Sequence, residues 1–459
     1  MMTGLREPDA SAGPPGRAAD FRPAAPAVIN TAVGMAAAGL AFVLWMGYHV
    51  ESSGALKAKG GVTTFLGQES GLAGTYLMLV MLLLVSRIPL IERAAGQDRL
   101  VRWHRLLGQW PVYLICLHAV LITLGYAAGD HVSAFAQLKI FLQSYPDVLA
   151  GTVALGLIIM AAVSSIRAVR RKVRYETWWS VHLYMYLALA LAFSHQIANG
   201  QSFFGHPLAR VFWAVLWAST AGVVLLFRFV VPIWRSAYHG LRVAGVQEEA
   251  PGVISVICRG KHLDKLDVQG GQFFHWRFLA HGHWWLAHPY SVSALPRSGL
   301  IRFTVKDLGD HSAALADLPI GTRVAIEGPY GAFTAKAATN RKVLLVGAGV
   351  GVTPIRALLE HLDERVDVTL LIRASADKDV VFSQEFESLM SRRKGKMLVL
   401  VGSRRKYPLD RVQLGQLVPD IAARDVYICG PENLSQQLIA SAKVLGVAER
   451  NIHCEQFAF

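Results

Sequence analysis

The stretch Arg102–His118, RWHRLLGQWPVYLICLH, decides how this chain is read. It lies in one of the most apolar parts of the sequence, yet it carries His104 near its start and His118 at its end. An ionisable side chain inside a membrane helix is costly, so each such histidine is a functional hypothesis by default. The two lie fourteen residues apart, which is about 21 Å along a helix, with rings within about 40° of one direction. One helix face thereby offers two imidazoles at two depths.

A second segment repeats the device. WWSVHLYMYLALALAFSH, Trp178–His195, carries His182 near its start and His195 thirteen residues on. In an ideal helix that spacing turns the second ring about 140° from the first, so this helix is expected to tilt, bend or carry a bulge, and Pro111 can kink its partner. Imidazoles facing each other in two layers, His104 with His182 and His118 with His195, describe bis-histidine ligation of two stacked haem irons. His49, His131 and His206 fall at run ends or in outer loops and read as solvated interface residues; Trp103, Trp110, Trp178 and Trp179 read as interfacial anchors or packing.

The surrounding sequence supports a membrane setting. With 459 residues and 53% hydrophobic content, the chain is multidomain and too apolar to be wholly soluble. Six apolar runs of about 20 residues, near Val28–Val50, Gly71–Ile91, His104–Ala127, Val148–Ile166, Trp178–Ile197 and Pro207–Val231, each suffice to cross a bilayer. Arginines crowd the second connection (Arg87, Arg93, Arg99, Arg102, Arg105), and Arg167, Arg170, Arg171, Lys172 and Arg174 crowd the fourth. Those loops are expected to be cytoplasmic, with both termini on the same side, as in a multi-pass plasma membrane protein of the bacterial inner membrane. The net charge of +14 is then a topology signal and argues for no nucleic acid partner. The lead Met1–Pro26 has the composition of a disordered tail, and the first run begins too late and is too long for a signal peptide. The four cysteines, Cys116, Cys258, Cys429 and Cys454, form no CxxC pair, which argues against a disulfide framework or a zinc site.

After a boundary near Pro232–Gly240 the pattern changes. Leu241 to about Lys336 alternates in short strands, as in VISVICRG and IRFTVKD, the pattern of a small antiparallel barrel. Within it stand HPYSVSALP (His288–Pro296), VKDLGDHS and EGPYGAFT. Tyr290 offers a stacking face for a flat ring, Ser291 and Ser293 offer hydroxyls, and Lys306 a cation for a diphosphate; strand packing and turn chemistry account for the same residues equally well. RKVLLVGAGVGVTPIRALLEHL then reads as a buried strand, a glycine turn (Gly347, Gly349, Gly351) and a helix, which lets backbone amides approach a diphosphate. The next strand ends in Arg373 where an acid would select NADH, which favours a 2′-phosphate and hence NADPH. Ser403 and Arg404 after MLVLVGS offer a second cation, a role that a solvated surface face explains as readily. DVYICGPENL places Cys429, Gly430 and Pro431 at a strand's carboxyl end, where ligands bind. The closing HCEQFAF is expected to fray.

Together these motifs resemble the NADPH oxidase and ferric reductase superfamily from about residue 28 onward. The resemblance implies a six-helix transmembrane bundle binding two b-type haems (28–236), an FAD-binding antiparallel β-barrel (237–338) and a Rossmann-like α/β NADP-binding domain (339–459), preceded by a cytoplasmic tail (1–27). It implies that His104 and His182 ligate the inner haem and His118 and His195 the outer. Tyr290 and Ser291 would hold the isoalloxazine, with His288 and Pro289 shaping the turn, while Lys306, Gly309 and Ser312 would hold the FAD diphosphate. The GAGVGVTP turn, including Thr353 and Pro354, would bind the NADPH diphosphate, and Cys429 would lie near the nicotinamide. A terminal phenylalanine would stack on the flavin; Phe457 and Phe459 both fit. The implied activity is NADPH-driven electron transfer to O2, giving superoxide or hydrogen peroxide, or to a ferric or other metal chelate. No obligate protein partner is evident. Oxygen-reducing members carry a polar histidine one turn beyond the outer ligand of the third helix, where this chain has Ile122. A non-enzymatic docking subunit would require a degenerate flavoprotein half, and these motifs are intact.

Overall fold

The computed structural model describes residues 25–51, 53–200, 203, 206–280, 284 and 287–455. Six of its helical spans are long and apolar enough to cross a membrane. The first is α1 (Ala25–Val50), so Ala25 to Ala27, read as the end of the lead, form its first turn. Pro26 stands there at little cost, because the first helical amides have no intrahelical acceptor.

The second span is α2, Gly61–Val85, ten residues earlier at its start than hydropathy placed it. Gln68, Glu69 and Ser70 dilute its apolar signal, but the helix satisfies polar groups internally: Ser70 donates to the Gly67 carbonyl at 2.8 Å. It stops at Ser86, and Pro89 opens a short helix α3 (Pro89–Ala95), because proline disfavours a helical residue before it. The third span comprises α4 (Gln97–Leu107) and α5 (Gln109–Gly129). Gly108 joins them, its amide still bonded to the His104 carbonyl at 2.9 Å. The outer connection carries α6 (Ala134–Ser144), capped where Ser133 accepts from the Ala136 amide.

The remaining spans are α7 (Val148–Ser165), α8 (Tyr175–Asn199) and α9 (Pro207–Leu225). α8 is α-helical throughout, so no bulge supplies the rotation expected from the thirteen-residue spacing. α9 does not end the membrane part. It passes through one π-helical turn, Leu226–Val230, into α10 (Val231–His239), and Gly240 caps it in the left-handed conformation at φ 52°. The wide turn carries the helix past Pro232, which lacks an amide donor. Large apolar side chains such as Leu208, Leu149 and Ile233 cover the outer surface of the bundle, as a lipid-facing surface requires.

The soluble half contains two sheets. β1 (Arg242–Ala250), β2 (Val253–Arg259), β3 (Phe273–Phe278), β4 (His288–Arg297), β5 (Leu300–Lys306) and β6 (Val324–Tyr330) form an antiparallel sheet ordered β1-β2-β5-β4-β3-β6. Its ends approach each other where Val243 donates to Thr322 and Val324 to Leu241, each at 2.9 Å. Phe274, Trp276, Phe278 and Phe303 fill the interior. The second sheet is parallel, with β7 (Lys342–Ala348), β8 (Asp367–Ala374), β9 (Gly395–Val401), β10 (Asp425–Cys429) and β11 (Ile452–Glu455) in the order β11-β10-β7-β8-β9. The crossovers include α11 (Val352–His361), α12 (Ser383–Ser391) and α13 (Glu432–Val444). Strand β11 corrects the expected fraying: Ile452 to Glu455 pair in register with Val426 to Cys429.

Candidate functional site

In the membrane half, α2 packs extensively on α5 and α7 on α8, whereas α5 and α8 make little direct backbone contact. The histidines occupy that separation. His104 and His182 face each other with ring centroids 6.2 Å apart. Two imidazoles sharing one metal, with bonds of about 2 Å and ring centres about 1 Å behind the nitrogens, would have centroids about 6 Å apart, the separation that the inner pair has, with ring planes at 76°. His118 of α5 and His195 of α8 lie deeper along the same two spans.

The backbone also sets which nitrogen faces inward. His104 Nδ1 lies 3.3 Å from the Met81 carbonyl and His118 Nδ1 2.8 Å from the Gly67 carbonyl. A carbonyl only accepts, so Nδ1 carries the proton and Nε2 keeps its lone pair for a metal. Trp178, expected as an anchor, stacks on the His182 ring at 5.3 Å and thereby positions it; local sequence carries no sign of that role. Two glycines make room for the outer rings. A Cβ on Gly71 would stand 2.6 Å from His118 Nδ1, and one on Gly151 would stand 2.8 Å from His195 Cγ. Two imidazoles per level suit a planar group that brings its own equatorial nitrogens. Ile122 packs against Gly67 in the α2–α5 seam.

In the barrel, β4 pairs with β3 so that Ser291 lies opposite Phe273, Tyr290 opposite Phe274 and Pro289 opposite His275. One face of the Tyr290 ring stacks on Phe303 at 5.3 Å and 3°, and Trp276 Nε1 donates to its carbonyl at 3.0 Å. His288 stacks beside Tyr290 at 6.0 Å. Ser291 Oγ is buried without a protein partner, the state of a hydroxyl placed for a ligand. Ser293 differs from its sequence reading: its hydroxyl accepts from Arg302 Nε and Thr304 Oγ1 at 3.1 and 2.9 Å. It is fully buried and supports the site from behind. Lys306, the last residue of β5, and Gly309 just beyond it are exposed, and the Ser312 hydroxyl ties the following turn by accepting from the Leu308 amide at 2.8 Å.

The parallel sheet docks on this barrel. Glu385 of α12 takes both Arg302 Nη donors at 2.9 and 2.7 Å and Arg356 Nε at 2.6 Å. Beside that clamp, the helix that follows the glycine turn packs against β4. β7 is buried from Val343 to Ala348, Gly349 adopts φ +56°, and α11 begins at Val352. Gly351 is tightest, since its Cβ would lie 2.3 Å from the Cys429 carbonyl oxygen. Gly347 passes close to Val352, Thr353 Oγ1 is buried without a protein partner, and Pro354 fits in the first helical turn, where no amide donor is needed. Arg373 ends β8 and donates to the Gly402 and Tyr407 carbonyls at 3.3 and 3.4 Å. Burial and the neighbouring Arg404 push its pKa down. Ser403 and Arg404 are exposed beside it.

Cys429 is fully buried between Gly347 and Glu455. Burial pushes its thiol pKa well up, so it packs as a neutral group. Gly430 is buried against Ala348, and Pro431 is the N-cap residue of α13. Phe457 and Phe459 lie outside the described residues.

At the junction of membrane and barrel, Glu92 is buried. Desolvation, partly offset by Arg87 and Arg228 and reinforced by Glu327, pushes its carboxyl up to about 7. A raised folded pKa gives stability that is complete below the ordinary value and is lost as pH rises through the folded one. The thermal midpoint of the wild type relative to Glu92→Gln is therefore expected to fall between pH 4.5 and about 7, measured by differential scanning fluorimetry in detergent. A constant difference across that range would contradict a buried, titrating Glu92.

Residues 70–193 match the family of ferric reductase like transmembrane components, and residues 345–438 match the oxidoreductase NAD-binding domain. That pairing, on a six-span bundle followed by an antiparallel barrel and a parallel sheet, matches the NADPH oxidase and ferric reductase superfamily. The chain is thus a multi-pass membrane protein with an oxidoreductase module. It is similar to an NADPH oxidoreductase of Mycobacterium tuberculosis, 28% identical over 238 residues, covering 50% of this chain and 62% of that protein. A flavohemoprotein of Vibrio cholerae is 28% identical over 205 residues, covering 42% of this chain and 52% of its own length. Among solved structures, the flavohem-like FAD/NAD-binding domain of a Vibrio cholerae nitric oxide dioxygenase aligns with TM-score 0.42 and 26% identity, over 48% of this chain and 98% of that one.

Proposed function

We propose that this protein carries electrons from cytosolic NADPH, through FAD and two b-type haems, to an acceptor on the far side of the membrane, with O2 the leading acceptor and superoxide or hydrogen peroxide the product. The observation that carries this reading is the His104–His182 pair at 6.2 Å, which stands on the same chain as an oxidoreductase NAD-binding domain. Bound, FAD and the haems supply the hydride and single-electron chemistry; the chain supplies position and electrostatics.

Each residue then has a defined task. His104 and His182 ligate the level nearer the flavin, and His118 and His195 the level nearer the acceptor. Tyr290 and Ser291 would hold the isoalloxazine of FAD, the first by ring stacking and the second through Oγ. Lys306, Gly309 and Ser312 hold the FAD diphosphate, and the turn Gly347–Pro354 holds that of NADPH. Cys429, Gly430 and Pro431 wall the nicotinamide pocket, and Phe457 or Phe459 closes it. Arg373, Ser403 and Arg404 hold the 2′-phosphate. With charge-assisted bonds contributing about 1.5–3 kcal/mol, Arg373→Ala with Arg404→Ala is expected to lower the NADPH-over-NADH ratio of kcat/KM by about tenfold or more. An unchanged ratio would remove these arginines from the site.

A second reading, reduction of a ferric or other metal chelate, is favoured by Ile122, whose apolar side chain packs into the α2–α5 seam where a polar group would serve oxygen chemistry. The deciding experiment gives purified protein NADPH and FAD and follows dismutase-sensitive cytochrome c reduction in air and ferric-chelate reduction without oxygen. Superoxide in air supports the oxidase, anaerobic chelate reduction alone supports the reductase, and absence of reduced b-type bands would sink both.

A further inference from the structure

Arg87 lies just past the end of α2, its side chain 11% exposed, in the left-handed conformation at φ +68°. A non-glycine residue adopts that conformation at a cost and keeps it where its surroundings hold it there. What holds it comes from the flavin barrel. Arg87 Nη2 donates to His275 Nε2 at 3.0 Å, its Nε lies 3.7 Å from Glu327 Oε1, and its guanidinium sits over the Tyr330 ring at 4.3 Å. On the membrane side it reaches Gln97 and, at 3.9 Å, Glu92.

Glu327 is gripped from two further directions, by Arg228 of the sixth span at 3.0 Å and by the Tyr330 hydroxyl at 2.9 Å. Burial and the arginines push His275 down to about 3, so its Nε2 stays an acceptor for Arg87. Nearby, Ser236 of α10 donates to the Ile326 carbonyl at 3.1 Å and accepts from the Ile326 amide at 2.9 Å.

The two ends of this cluster touch the two ends of the proposed electron path. His275 pairs with Pro289, inside the motif that presents Tyr290 and Ser291. Six residues before Arg87 on the same segment, Met81 offers the carbonyl that orients His104. One stretch, Met81 to Arg87, therefore sets both the inner histidine and the edge of the barrel.

We propose that Arg87, through Glu327, His275 and Tyr330, is the positioning residue that fixes the flavin edge of the barrel at its working distance from the inner histidine level. This rests on the proposed function. The hydride of NADPH would reach the flavin without crossing this gap, whereas both electrons would cross it one at a time, so the gap governs flavin-to-haem transfer and leaves hydride transfer untouched.

The test uses the full-length protein in nanodiscs with Arg87→Ala, Glu327→Gln and the double variant. Three readings are taken: NADPH–ferricyanide reduction, which taps the flavin directly; anaerobic stopped-flow appearance of the reduced haem band; and hydrogen exchange of the 324–330 amides. Ferricyanide reduction is expected to stay within about twofold and haem reduction to fall at least about tenfold, as for a misplacement near 1 Å. Exchange at 324–330 should rise, and the double variant should be no slower than the slower single, because the two residues act as one unit. Unchanged haem reduction, an equal fall in both rates, or unchanged exchange would overturn the proposal. If Arg87→Ala does not assemble, the isosteric Glu327→Gln decides alone. A wild type whose haem band NADPH never reduces would instead sink the proposed function, while the exchange reading still judges the clamp.

Discussion

His118→Leu is expected to abolish delivery of electrons to the outer acceptor while leaving NADPH–ferricyanide reduction intact. The substitution removes the outer-level imidazole of α5, whose Nδ1 proton is already committed to the Gly67 carbonyl at 2.8 Å. Changes to groups that merely orient a metal ligand cost about 10–100-fold, so loss of the ligand itself is expected to exceed about 100-fold in acceptor reduction. About half of the reduced b-type absorbance should disappear with it, and His104→Leu should remove the other half. Gly71→Val provides a check that leaves every ligand in place. Its side chain would occupy the space of the His118 ring, given a Cβ only 2.6 Å from Nδ1, and the same spectral loss should follow. Retention of both haems in His118→Leu would refute the two-level assignment.

The second large effect is expected at Gly351→Ala. Its Cβ would meet the Cys429 carbonyl oxygen at 2.3 Å, the carbonyl carbon at 2.5 Å and the Gly430 amide nitrogen at 2.8 Å. All three are backbone atoms of β10 and its exit, so no side chain can rotate away, and the start of α11 must retreat. Overpacking of this kind costs about 1–3 kcal/mol, and a shift near 1 Å at a binding turn lowers rates by up to about 100-fold. Stopped-flow flavin reduction by NADPH should slow by about that factor, with the haem spectrum unchanged. Gly349→Ala is the informative contrast. Its Cβ meets nothing within 4 Å, and only its φ of +56° is unfavourable, worth about 1–2 kcal/mol. It should therefore be the milder variant; equal damage at both positions would point to general loosening of the turn.

Much of this architecture is written locally. Six apolar runs, the histidine spacings and the strand–turn–helix around Gly347–Gly351 depend on neighbours in sequence, and they are legible there. Four features are not. The span Gly61–Val85 begins in a segment holding Gln68, Glu69 and Ser70, whose polarity is offset by partners such as the Gly67 carbonyl that hydropathy does not count. Ser293 reads like Ser291, and only the folded sheet shows one hydroxyl bonded to Arg302 and Thr304 and the other without a protein partner. The Arg87 cluster joins residues about 190 to 240 positions apart. Nothing near Arg87 in the sequence distinguishes it from the topogenic arginines around it. Trp178 illustrates the same limit, since its position suits an interfacial anchor and its stacking on His182 appears only in three dimensions.

The π-helical turn at Leu226–Val230 has a practical consequence for anyone exchanging the two halves of this protein. Because it carries the sixth helix past Pro232 to His239, and α10 grips β6 through Ser236, the apparent seam at Pro232 lies inside a rigid rod. A chimera cut there would graft a new barrel onto a stub whose rotational phase is undefined. The natural splice is Gly240, where the left-handed cap ends the rod, and a new barrel placed there would have to bring its own glutamate to meet Arg87 and Arg228.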